Sequence, residues 1–213
     1  AFPLQCTMVF NPRKKNRVWG MYSVEGGVTP IKHLGINFGA PGDRKSADGA
    51  LWLSWPRPQS TRLVLTMAAE IQLSGGGSYT RGNDDVMRIA NTDVPWIYTS
   101  GAQGLQRIVL PLVGEAEGAA EYTVRLLFAE TDAKAKAGSK PFDVKIQGKV
   151  VATGVDVLAD AGSRDTALVK DFSGIRIDDR LVVEFVSKVK EPTPDQLPTL
   201  RGLEVVRERV LQV

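Results

Sequence analysis

Glu121–Thr131 reads EYTVRLLFAET, Lys140–Leu158 reads KPFDVKIQGKVVATGVDVL, Asp171–Val186 reads DFSGIRIDDRLVVEFV and Thr199–Glu208 reads TLRGLEVVRE. In the first segment Tyr122, Val124, Leu126 and Phe128 alternate with Thr123 and Arg125, the period of a strand with one buried face. Phe142, Val144 and Ile146 alternate with Asp143 and Lys145. Gln147-Gly148-Lys149 then supplies a turn into Val150 and Val151, which predicts a hairpin. Ile175-Arg176-Ile177, the turn Asp178-Asp179-Arg180 and Leu181–Val186 predict a second hairpin between β-branched strands. No window between Glu70 and Arg207 carries a sustained helical stripe with caps, and Asp132–Lys140, rich in Ala and Lys, offers at most one exposed helical turn. The module is all-β.

A β-sandwich of this kind needs only about 100 to 180 residues, and the chain has 213. The surplus lies at the N-terminus. The chain starts at Ala1 without an initiator Met, a charged n-region or an apolar h-region, which reads as a cut-out of a longer protein. No segment approaches the roughly 20 apolar residues of a membrane helix. Twenty-seven Lys and Arg face twenty-four Asp and Glu, scattered over turns and alternate strand positions. The one dense basic run, Arg13-Lys14-Lys15-Asn16-Arg17, separates Thr7–Phe10 from Val18–Tyr22 and reads as a solvated hairpin tip. It lacks the interleaved aromatics and motifs of a nucleic-acid site, so no nucleic-acid partner is expected. Cys6 stands alone, which excludes an internal disulfide and a cysteine-based zinc site. It reads as a small buried hydrophobe, with a bridge to an upstream cysteine as the alternative.

The succession YTVRLLFAE, FDVKIQG leading to GVDV, a basic-acidic turn before LVVEFV, and a final GLEV resembles the malectin family of sugar-binding proteins. The resemblance implies a malectin-like, galactose-binding-type jelly-roll β-sandwich over residues 61–213. Residues 1–60 are expected to form an N-terminal β-hairpin and junction. Here FNPRKKNRVWGMYS (Phe10–Ser23) and the stretch NFGAPGDR…DGALWL (Asn37–Leu53) resemble the junction of large bacterial proteins in which a pyrroloquinoline-quinone-type β-propeller precedes a malectin-like domain. That resemblance implies a propeller in the same polypeptide as a partner, a hairpin left from its last blade, and a periplasmic, secreted or cell-surface setting. An isolated two-stranded hairpin is marginal in water, so Trp19, Trp52 and Trp55 are expected to be buried where it leans on the sandwich.

Function is expected to be binding of a glycan, by aromatic faces stacking on sugar C–H surfaces and polar groups bonding hydroxyls. Val94–Ser100 resembles the malectin segment that carries a ligand-binding tyrosine, which implies Tyr98 as a partly exposed contact, and Asp195 falls near the family's binding aspartate. Trp96 beside Pro95, and Tyr79 after the flexible Gly75-Gly76-Gly77-Ser78, complete the aromatic set, with Arg201 as a further polar contact. After Phe128-Ala129-Glu130 the family has two adjacent aromatics where this chain has Thr131-Asp132-Ala133-Lys134, so weak or absent binding of α-glucose disaccharides is expected. The alternative is an interaction domain packing against the propeller without sugar binding.

No catalytic residue is assigned. The one histidine, His33, is expected in the junction, outside the sandwich, which leaves no Ser-His-Asp relay and no histidine metal site. The acidic residues show no spacing that singles out a pair across a cleft. Gly75-Gly76-Gly77 does not join a strand to a helix as phosphate loops do, and Asp43–Gly49 departs from calcium-loop spacing. No cofactor is expected, though the family resemblance leaves room for a structural calcium held by loop carbonyls.

Overall fold

The structure, a computed structural model, describes residues 29–57, 68–114 and 117–211, and the backbone pairing of 9–10 with 17–18. The strands are β1 (Val9–Phe10), β2 (Arg17–Val18), β3 (His33–Phe38), β4 (Arg44–Lys45), β5 (Leu51–Trp55), β6 (Glu70–Thr80), β7 (Gly101–Pro111), β8 (Ala120–Phe128), β9 (Phe142–Ile146), β10 (Lys149–Val155), β11 (Leu168–Ile177), β12 (Arg180–Ser187), β13 (Thr199–Leu200) and β14 (Gly202–Val210). Two short helices, α1 (Pro95–Tyr98) and α2 (Val157–Ala161), and a 3-10 turn at Pro194–Gln196 join them.

Among the described residues, two six-stranded sheets face each other as a sandwich. One runs β11-β8-β14-β3-β5-β4, antiparallel except for the parallel pair β3 and β5. In the other, β10, β9, β12 and β7 follow in order. Residue Arg107 of β7 pairs with both Glu184 and Gln72, and Gln103 with both Thr199 and Ser78, so β12 and β13 share one edge of β7 and β6 lies on the other. The alternating side chains of β8 meet those of β9, β12, β3 and β14 between the sheets, where Tyr122, Val124, Leu126, Phe128, Phe142, Val144, Val183 and Phe185 are buried. Phe128, Phe142 and Phe185 form a ring cluster with centroids 5.6 to 6.4 Å apart. The Tyr122 hydroxyl donates to the carbonyl of Ile31 at 2.9 Å and so ties the start of β3 to the core.

The expected hairpin of β9 and β10 is present, with Ile146 opposite Lys149. Gln147 and Gly148 both have positive φ, 51° and 74°, as a two-residue turn that matches strand twist requires. The second expected hairpin is not one. β11 pairs with β8 and β12 with β7 and β9, so Asp178-Asp179 arches from one sheet to the other. Ile177 and Leu181 both point into the core from opposite sides of it. Nor does Asp132–Lys140 form a helical turn: it is a pair of tight turns closed by Ala135 N to Asp132 O at 3.1 Å and Ser139 N to Lys136 O at 3.2 Å.

The expected junction contributes strands to the sandwich itself. β3 pairs with β14 along its length, and β5 and β4 extend the sheet beyond it. His33 is therefore part of the sandwich, with Nε2 2.7 Å from Glu204 Oε1, in a row of polar side chains that continues to Arg125 and Asp171 across the outer sheet face. Trp52 is buried and Trp55 half-buried against the main core. Trp19 and Cys6 lie outside the described residues. No helix among the described residues is long and apolar enough to cross a membrane.

Candidate functional site

The outer face of the β8-β14-β3-β5 sheet is not open to solvent throughout. The segment between β6 and β7 folds down on it and closes a second apolar cluster of Trp52, Ile89, Ile97, Tyr98, Leu127 and Ala129. Two glycines make that cover fit. A Cβ on Gly35 would lie 2.3 Å from the Trp52 indole, and one on Gly202 would lie 2.9 Å from Ile97 and 3.0 Å from Trp52. The bare backbone at these positions is the shelf on which the indole rests.

Where this cover meets the turn after β3, the surface opens into a groove of about 360 Å³, bordered by Asn37, Asp43, Arg44, Asn83, Asp84 and Trp96. Local interactions fix each wall. Gly39, at φ +72°, turns the chain so close to β6 that a Cβ would lie 2.1 Å from the Thr80 carbonyl. Asp43 accepts from Ser54 N at 2.8 Å and Ser54 Oγ at 3.0 Å and is paired with Arg57, so the turn is tied to β5. Pro95 starts α1, and Thr99 Oγ1 donates to the Trp96 carbonyl at 3.2 Å. The Trp96 ring meets Trp52 edge to face, with centroids 6.2 Å apart, and Arg44 lies over it with its guanidinium carbon 4.7 Å from the ring centroid. Arg44 also donates to Asp84 at 3.1 Å. Asn37 is buried, its Nδ2 3.5 Å from the Trp96 carbonyl and its Oδ1 without a hydrogen-bond partner among the described residues.

Of the five residues expected at a site, only Trp96 borders this groove. Tyr98, expected to be partly exposed, is 2 % exposed within the second cluster. Burial pushes its hydroxyl up to about 12, with the Thr92 side chain acting in the opposite direction. Its ring faces inward because the helical turn that presents Trp96 outward rotates the residue two positions on toward the sheet. Arg201 is also buried: its guanidinium donates to the Ala129 carbonyl at 3.1 Å and to Thr131 Oγ1 at 2.7 Å, clamping the end of β8 to the start of β14. Desolvation lowers its pKa to about 10.

Tyr79 does not sit on a loop. It lies within β6 opposite Ala102 and packs on the main core, and the glycines before it form an irregularity in the β6–β7 register. Asp195 is exposed on its 3-10 turn, its carboxyl held below the usual range chiefly by the Thr193 side chain. That turn is anchored by Gln103 Nε2 donating to the Pro194 carbonyl at 2.7 Å, beside a second groove of about 320 Å³ near Ser74, Gly104 and Phe185. Sequence reasoning missed Asn37, Arg44 and Asp84. The available signal was an uncharged polar residue among the apolar ones of HLGINF, followed by a turn-rich GAPGDR. Among the described residues no three His, Cys, Asp or Glu side chains gather as metal ligands.

A model of the malectin domain matches residues 69–194, more than half of the chain. The chain belongs to the malectin domain family. Its malectin sandwich is shared by solved structures of low identity. A β-glucuronidase of Bacteroides uniformis is 17 % identical with a TM-score of 0.60, over 83 % of this chain and 18 % of that one. The ANXUR2 extracellular domain of Arabidopsis thaliana is 16 % identical with a TM-score of 0.60, over 84 % and 49 %. The ANXUR1 extracellular domain of the same plant is 18 % identical with a TM-score of 0.58, over 82 % and 47 %. The malectin domain thus spans about half the length of the plant ectodomains and under a fifth of the glucuronidase. No curated protein matches the chain.

Proposed function

We propose that this malectin domain is a non-catalytic carbohydrate-binding module of a larger protein. The observation that carries the reading is the groove at Trp96. Its volume of about 360 Å³ lies in the range of small-ligand sites, roughly 300 to 1,000 Å³, and it combines one aromatic ring with the amide and carboxylate groups that sugar hydroxyls need. Trp96 is the residue we assign to the ligand. Asp195, exposed on its turn, is proposed as a contact outside the groove, while Tyr98, Tyr79 and Arg201 are assigned to the scaffold. We further read the chain as following a β-propeller in the same polypeptide, a reading supported by the junction resemblance and by the pairing of Val9 with Val18 and Phe10 with Arg17.

A glycan array probed with the wild-type chain and with Trp96→Ala tests the binding role. Defined carbohydrate hits that disappear in the variant, while its near-ultraviolet circular dichroism still shows a folded sandwich, are expected. An array with no hits for the wild type, alongside capture of the upstream propeller, would favour the protein-interaction role instead.

A further inference from the structure

Arg44 lies on the aromatic ring that a sugar would use. Its guanidinium is stacked over Trp96 at 4.7 Å and is steadied by Asp84 at 3.1 Å. We propose that Arg44 is a displaceable occupant of this platform, and that the groove takes a neutral glycan, which lifts Arg44 from Trp96 and donates a hydroxyl hydrogen bond to Asn37 Oδ1. This rests on the carbohydrate-binding reading given above and names the ligand class and the residues that select it.

Three observations carry the proposal. The first is that Arg44 is held weakly, since its side chain is 52 % exposed and that of Asp84 33 % exposed. An ion pair so open to water is screened and contributes little to stability. Its neighbour Asp43 is fixed to Ser54 and Arg57, so the backbone of the turn stays in place while the Arg44 side chain is free to swing.

The second is Asn37, which is 3 % exposed and borders the groove, with a buried Oδ1 that has no hydrogen-bond partner among the described residues. A buried amide oxygen without a donor carries an uncompensated desolvation penalty. The closed form is therefore less satisfied than one in which a ligand supplies the donor. A hydroxyl or an amide N–H can do so, and a carboxylate cannot.

The third is the balance of charge. Asp43 is taken by Arg57 and Arg44 by Asp84, so among the described residues that border the groove no cation is left unpaired to recruit a uronate. Once Arg44 lifts, the Asp84 carboxylate faces the ligand, where it accepts from hydroxyls and repels another carboxylate.

The test is an array of neutral and uronate-bearing oligosaccharides, followed by calorimetry on the hits, with the full chain as wild type, Arg44→Ala, Asn37→Ala and Trp96→Ala at low and high salt. A neutral glycan is expected to bind. Arg44→Ala should tighten it several-fold, Asn37→Ala weaken it about tenfold, and Trp96→Ala abolish binding. Added salt should tighten it slightly by loosening Arg44 from Asp84. Asn37→Ala alters a buried position, so its melting temperature is recorded, and Arg44→Ala, on an exposed side chain, decides the matter alone if that variant does not fold. Uronate hits that weaken with salt and with Arg44→Ala would overturn the proposal. Neutral hits unchanged by Arg44→Ala would also overturn it, while leaving carbohydrate recognition standing. An array empty for both wild type and Arg44→Ala would overturn both.

Discussion

The Tyr98 hydroxyl sits in an apolar cluster closed by Ile97, Trp52 and Leu127, so its anion would have to form where solvation is poor. That environment raises its pKa from 10.0 to about 12. Between those values the unfolded chain gives up a proton that the folded chain keeps. The stabilisation is therefore complete below pH 10 and is lost as pH climbs through 12. Urea unfolding at about pH 9 and about pH 12 should show Tyr98→Phe losing less stability than wild type by roughly 2 kcal/mol, and an equal loss in both would exclude this role. Tyr98→Ala should cost roughly 3 to 5 kcal/mol by opening a cavity, so any glycan binding it loses would follow from the fold. The sequence resemblance located this tyrosine but not its orientation. The segment that buries it has no period of its own, and only its docking on the sheet decides which of Trp96 and Tyr98 faces water.

At the scale of elements, the cover over the outer sheet face depends on Gly35 as much as on the indole it supports. A methyl group placed 2.3 Å from Trp52 must push the ring away, because the strand backbone is held by β14 on one side and β5 on the other. Gly35→Ala should cost roughly 1 to 3 kcal/mol and shift the tryptophan fluorescence to the red. It should also weaken glycan binding, since Trp52 buttresses Trp96. An unshifted emission spectrum would show that the ring has room to adapt. Strand alternation made most elements legible beforehand: Tyr122 to Phe128 and Phe142 to Ile146 present the faces their period predicts. Alternation gives faces and not partners, however. The same two acidic residues that would close a hairpin instead arch over the edge of the sandwich from one sheet to the other, and nothing in Ile175 to Phe185 distinguishes the two outcomes.

For the molecule as a whole, what matters is where the sandwich starts. A reading by motif places the boundary near residue 60, because the family pattern is concentrated after it and the preceding stretch resembles a junction. The sheet, by contrast, takes up β3, β4 and β5, and Leu34, Ile36, Phe38 and Leu53 belong to its main core. The short strand β3 carried few pattern cues because its outward positions are Gly35 and Asn37, which serve the covered face and the groove. Two shortened chains separate the readings. One that begins at Thr29 keeps the Tyr122 bond to Ile31 and every strand of both sheets, and should unfold cooperatively with a melting temperature within a few degrees of the full chain. One that begins at Thr61 strips β14 of β3, one of its two sheet partners, uncovers Leu203 and Val205 on that side, and leaves Trp96 without Trp52 and Arg44. It should be insoluble or molten by near-ultraviolet circular dichroism. If that chain instead folds with the stability of the longer one, β3 to β5 are an appendage, and the groove at Trp96 cannot be the site that defines the domain's function.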